Sequence, residues 1–86
     1  MNTSNSETLI KELTLDDEKI YIALSSGDIL AIPYDYTPRL KQATKTQLEN
    51  YRLIGGGRGI HFPDIDEDIS LKGIIHYKLS HELLAS

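Results

Sequence analysis

The chain has 86 residues, no cysteine, 40% hydrophobic residues and a formal net charge of −4. That length supports one modest core, and the lack of thiols excludes a disulfide framework, thiol catalysis and a thiolate zinc site. No apolar run approaches the ~18 residues a membrane span needs. Residues 1–7 form a polar leader without the basic and apolar regions of a secretion signal, so a cytoplasmic location is expected.

Residues 8–76 are expected to make a single α+β domain. Leu9, Lys11, Leu13 and Leu15 alternate with Ile10, Glu12 and Thr14, a period of two that predicts a first strand. Asp16-Asp17-Glu18 is a turn. Lys19–Leu24 is rich in β-branched and aromatic residues and sets Ile20, Ile22 and Leu24 on one face of a second strand. Ser25-Ser26-Gly27-Asp28 reads as a hairpin loop in which Gly27 can take positive φ. Ile29–Ile32 returns as a third strand, and Pro33 ends it because proline cannot donate to a ladder.

Thr37-Pro38 is a helix start, with Thr37 as N-cap and Pro38 at the first helical position, ahead of a short turn over Arg39–Ala43. Thr44-Lys45-Thr46-Gln47 has capping-box form, and Leu48 and Tyr51 follow three apart on one helical face. Gly55-Gly56-Gly57 forces a bend, and Gly59-Ile60-His61-Phe62 predicts a short strand before Pro63. Ile69, Leu71, Ile74 and Ile75 suggest a further apolar turn. Leu79, Leu83 and Leu84 predict a helix over Tyr77–Ala85, within a helical tail at residues 77–86. The expected architecture is a three-stranded antiparallel meander with one or two short helices packed on one face, a Gly-rich bend and a C-terminal helical tail. Its core should comprise Ile20, Ile22, Leu24, Leu30, Ile32, Leu40, Leu48, Ile60 and Ile74.

Charge is unevenly spread. Residues 1–36 carry two lysines against seven acids (−5), residues 37–60 five cations against Glu49 (+4), and residues 61–86 two lysines against five acids (−3). Two readings follow: a bipolar surface that steers a charged partner, or segments that neutralise one another in the fold.

The candidate chemistry is sparse. Consecutive glycines beside Arg58 could nest an anion, but neither a P-loop nor a dinucleotide fingerprint is present. His61 with Asp64, Asp66, Glu67 and Asp68 resembles a hard-metal cluster, yet it lacks the glycine turn and distal Glu of a calcium loop. Capping explains these acids without an ion, with Asp68 placed to cap a turn starting at Ile69. No catalytic residue, metal ligand or cofactor site is therefore assigned. His61 with Asp64, three positions on, is the histidine–acid pairing considered, and His76 and His81, five apart, lie on different helical faces. The basic stretch 37–60 belongs to an acidic chain with no helix-turn-helix, so direct nucleic-acid binding is not expected.

Thr37-Pro38-Arg39-Leu40, the Gly-rich bend, Gly59-Ile60-His61-Phe62-Pro63 and Asp66-Glu67-Asp68-Ile69 together resemble the bacterial domain-of-unknown-function 2442 family, from about Lys19 to Ile75. The resemblance implies a family without a settled activity. Its members are often encoded beside another small protein, in an arrangement that looks like a toxin–antitoxin pair. The resulting expectation is a non-catalytic protein–protein interaction module, an antitoxin-like partner of a small neighbouring gene product. Its contact residues are expected at Tyr34, Tyr36, Arg39, Tyr51 and Arg58, since tyrosine and arginine dominate interface hot spots. A homodimer stays open, and no membrane contact is expected. Two alternatives stand beside this one: an acidic phage-type inhibitor or nucleic-acid mimic that fills a basic groove, and a small enzyme or anion-binding protein using the Gly-rich loop and His61.

Overall fold

The computed structural model describes residues 7–83, so the expected leader up to Ser6 and the last three residues of the expected tail lie outside the described part. Two antiparallel sheets organise the chain. The first has strands in the order β1 (Ile10–Leu15), β2 (Lys19–Leu24) and β3 (Ile29–Pro33). A 3₁₀ turn at Tyr34–Tyr36 leads to α1 (Pro38–Gln42) and α2 (Lys45–Glu49). The second sheet follows as β4 (Arg52–Ile54), β5 (Gly59–Phe62) and β6 (Glu67–Ser70), and α3 (Leu71–Lys78) continues into a π turn at Leu79–Leu83.

The meander forms as its residue pattern dictates. Ile20 pairs with Ile32 and Ile22 with Leu30, which turns the apolar face of β2 and β3 inward. The β1–β2 turn is tied by Asp16, whose Oδ1 accepts from the Glu18 and Lys19 amides at 2.7 and 2.8 Å. Its Oδ2 accepts from the Tyr21 hydroxyl at 2.8 Å. These bonds stabilise the ionised form, the two amides most, and hold the Asp16 carboxyl below its ordinary 3.8. Gly27 takes φ +96°, as the hairpin loop requires.

β1 departs from simple alternation. Ile10 pairs with Leu24 but Glu12 pairs with Ala23, so Lys11 is an extra, bulged residue. The bulge brings Ile10 and Leu13, three apart, to the same buried face.

Both helix starts follow their local sequence. The Thr37 hydroxyl accepts from the Leu40 amide at 3.2 Å, with Pro38 in the first turn. Thr44 and Gln47 exchange both bonds of the capping box, at 3.1 and 3.0 Å. Each helix is one turn and a half long, too short to persist unaided, and each contributes one buried anchor, Leu40 and Leu48.

The second sheet is the main departure from expectation. β5 does not stand alone: β4 and β6 flank it, with Leu53, Ile60 and Ile69 side by side in register. The segment expected to cap and begin a helical turn at Ile69 is strand β6. Asp68 lies within that strand, and the cap of α3 is Ser70, whose Oγ accepts from the Gly73 amide at 2.9 Å. The C-terminal helix consequently begins at Leu71 rather than near Tyr77. A helix needs its first buried residues where the sheet ends, and Leu71 and Ile74 supply them.

One cluster joins the two sheets. The residues Ile10, Leu13, Ile20, Ile22, Leu24, Ile32, Leu40, Leu48, Ile60, Phe62, Ile69, Leu71 and Ile74 are all buried in it. Leu30 sits only at its margin, half-buried, on β3, an edge strand of the first sheet. Phe62, expected only as part of a strand, is the largest fully buried side chain.

Candidate functional site

The β4–β5 turn sets the position of Arg58. Gly55, Gly56 and Gly57 all adopt positive φ. At Gly57 a side chain is also excluded by space, since an added Cβ would fall 2.8 Å from the Ile10 carbonyl oxygen. That closeness serves a bond: the Ile10 amide donates to the Gly57 carbonyl at 2.8 Å, docking the turn on the first sheet.

Arg58 leaves this turn with its backbone held on both sides. Its amide donates to the Ile54 carbonyl at 3.1 Å, and its carbonyl accepts from the Leu71 amide at 2.9 Å. Its Nη1 donates to the Gly55 carbonyl at 2.7 Å. Nε and Nη2 grip the Glu7 carboxylate at 3.0 and 2.6 Å. Two clefts flank the side chain. The larger, of about 540 Å³, is lined by Glu7, Arg58, Ser70, Leu71, Lys72 and Ile75. The smaller, of about 330 Å³, runs along Ile54, Gly55, Gly59, Asp68 and Ser70 on the other side of Arg58. Ile54 and Ile75, exposed at 38% and 41%, place apolar surface on either side of the cation. What this arrangement offers chemically is a fixed guanidinium fork between two apolar lips.

The other expected contact residues mostly hold the fold. The Tyr34 hydroxyl donates to the Asp16 carbonyl. Tyr36 meets the Tyr77 ring edge-on at 5.0 Å, and burial raises its phenol above the usual 10.0. The Tyr51 hydroxyl accepts from the Leu13 amide at 3.0 Å, a tie across to the first sheet. Arg39 Nη1 donates to the Asp66 carbonyl at 2.5 Å, and its nearest contact with the Asp66 carboxylate is 3.8 Å. The basic segment is largely neutralised by its neighbours, with Lys45 on Asp17 and Arg58 on Glu7, each at 2.6 Å, and Arg39 on Asp66.

The acidic cluster is dispersed by the β5–β6 turn. Asp64 accepts from the Asn50 amide group at 3.2 Å. Asp66 takes φ +52°, a conformation Asp tolerates better than most residues. The partner of His61 is Asp68, directly opposite it in register and 2.5 Å away, and not the sequence-adjacent Asp64. Among the described residues no three His, Asp or Glu side chains converge as a metal site would require. His81 stacks on Tyr77 at 4.1 Å between ring centres.

Ile54, Ser70, Lys72 and Ile75 belong to this surface and were not anticipated. A signal for Ile54 was present: Arg52-Leu53-Ile54 and Gly59–Phe62 are strand-like runs separated by a glycine turn, the form of a hairpin. Lys72 and Ile75 required knowing where α3 begins.

The fold and its family agree. The model of the family of proteins of unknown function DUF2442 matches residues 10–80, and the chain belongs to that family. The match runs from β1 through the end of α3, past both ends of the resembling stretch at residues 19–75. The structure is similar to that of a protein of unknown function from Rhodospirillum rubrum, at 26% identity and a TM-score of 0.74, covering 83% of this chain and 88% of that one. An uncharacterised protein from Chromobacterium violaceum shares the fold, at 23% identity and a TM-score of 0.71, covering 98% of this chain and 84% of that one. No curated protein matches the chain. No helix among the described residues is long and apolar enough to cross a membrane.

Proposed function

We propose that the chain is a non-catalytic protein-binding module whose contact surface centres on Arg58 and the apolar residues beside it. The observation that carries this reading is the pairing of two exposed isoleucines, Ile54 and Ile75, with one immobilised arginine at the meeting of two clefts. Arginine amid apolar surface is the composition of interface hot spots, where desolvation strengthens its hydrogen bonds. The family's gene arrangement supplies the partner's source: a small protein encoded alongside, with this chain in the antitoxin-like role.

The test is co-expression with the neighbouring gene product followed by capture. Wild-type chain should retain that protein. Ile54→Glu and Ile75→Glu should keep the far-UV spectrum and melt while weakening capture about tenfold, equivalent to ~1.4 kcal/mol each. Undiminished capture by both variants places the surface elsewhere. No capture by wild type removes the antitoxin-like role.

A further inference from the structure

We propose that the larger Arg58 cleft is a carboxylate-recognition site for an acidic segment of a partner protein, and that Glu7 is its intramolecular occupant; this deepens the protein-binding reading and rests on it. The Glu7 carboxylate stands in for the ligand. It meets Nε and Nη2 of Arg58 with one oxygen each, at 3.0 and 2.6 Å, the two-point fit of a planar carboxylate on a guanidinium edge.

That edge is set in advance. The third guanidinium nitrogen, Nη1, is bound to the Gly55 carbonyl, and the residue's own amide and carbonyl are tied to β4 and α3. Little side-chain freedom remains to be lost when a carboxylate arrives, which raises affinity without adding a contact. The surroundings suit an acidic peptide better than a lone ion. Lys72 lines the same cleft and forms no ion pair among the described residues, so a second acid has a counter-charge. Leu71 and Ile75 supply an apolar wall, and about 540 Å³ accommodates several side-chain atoms beyond one carboxylate.

Glu7 is well suited to leave. Its side chain is 54% exposed and that of Arg58 62%, and ion pairs so exposed contribute little to the folded state. Exchanging it for an external carboxylate therefore costs the fold little. Occupation from within lowers apparent affinity by the fraction of time the clamp is filled, and removing the occupant restores it.

The experiment titrates the full isotope-labelled chain with a capped hexapeptide of alternating glutamate and alanine, followed by amide chemical shifts. Glu7→Gln should bind it about fivefold more tightly than wild type, with shifts centred on Arg58 and Lys72. Arg58→Lys should lose the response in either background, because an ammonium cannot form the two-point fit. The glutamine version of the peptide should give none. Equal affinity of wild type and Glu7→Gln overturns the proposal. So does a response unchanged by Arg58→Lys, or stronger competition by inorganic phosphate than by the peptide. Should Arg58→Lys fail to fold, the Glu7→Gln comparison still decides. A peptide response as described with no capture of the neighbouring gene product removes the antitoxin-like role alone. Intact capture with an unresponsive clamp removes this one alone.

Discussion

The two sheets are built on different principles. The first is a meander whose turns close within a few residues: Asp16 fixes one end through neighbouring amides, and the Leu24 amide reaches the Asp28 carbonyl at 2.9 Å across the other. The second has strands of three and four residues and is secured largely from outside. Ile10 binds Gly57, Leu13 binds Tyr51, and Arg39 holds the Asp66 carbonyl. Two short hairpins alone are marginal in water, so these distant ties and the shared core decide whether the second sheet exists. The difference teaches where exposed surface features can be placed. The first sheet closes through its own turns, and the supported sheet carries the glycine turn and Ile54, with α3 adding Ile75 beside the larger cleft.

The largest expected effect tests whether the shared core makes the sheets one cooperative unit. Phe62→Ala should cost ~3–5 kcal/mol and Ile22→Ala ~2–5 kcal/mol in denaturant melts. In both variants amide exchange should accelerate in β2 and β5 together. Loss confined to one sheet would separate them into independent units and break the comparison.

A smaller effect contrasts the two glycine turns. Gly57→Ala combines positive φ with a clash against the Ile10 carbonyl and should cost about 3 kcal/mol. Gly27→Ala bears the φ strain alone, in open space, and should cost about 1 kcal/mol. Equal losses would mean that the docking of the second sheet on Ile10 contributes nothing.

The smallest effect lies in the first sheet's local turn. The folded pKa of Asp16 is depressed, chiefly by the Glu18 and Lys19 amides, so its contribution is present above the ordinary 3.8 and disappears as pH falls through the folded value. Asp16→Asn should lower the melting temperature modestly at pH 7 and leave it unchanged in strong acid. A difference that persists unaltered in acid would assign the effect to side-chain shape and not to charge.

These contrasts also mark how far the residues could be read in advance. Local signals served well. The alternation of Ile20, Ile22 and Leu24, the cap at Thr37, the capping box at Thr44 and the positive φ of Gly27 each arise from interactions within a few positions. Family membership was legible because the Pro-Arg-Leu and Gly-Ile-His-Phe-Pro steps are local too. Where partners are distant, local signals fail or mislead. His61 was paired with the acid nearest in sequence, whereas strand register selects Asp68. Tyr34, Tyr36 and Tyr51 are interface residues by type, and only the fold shows that each also has an internal partner.

The sequence by itself determined the α+β class, the meander, the two capped helical turns and most of the core, because periodicity and capping act over one or two turns of chain. Only the tertiary structure decided that a second sheet forms and that β1 is bulged at Lys11. It also decided that α3 starts at Leu71 and that Arg58 stands fixed between two clefts. Each of those depends on a hydrogen bond or a buried contact between residues far apart in the chain, and such pairings exist only once the core has brought them together.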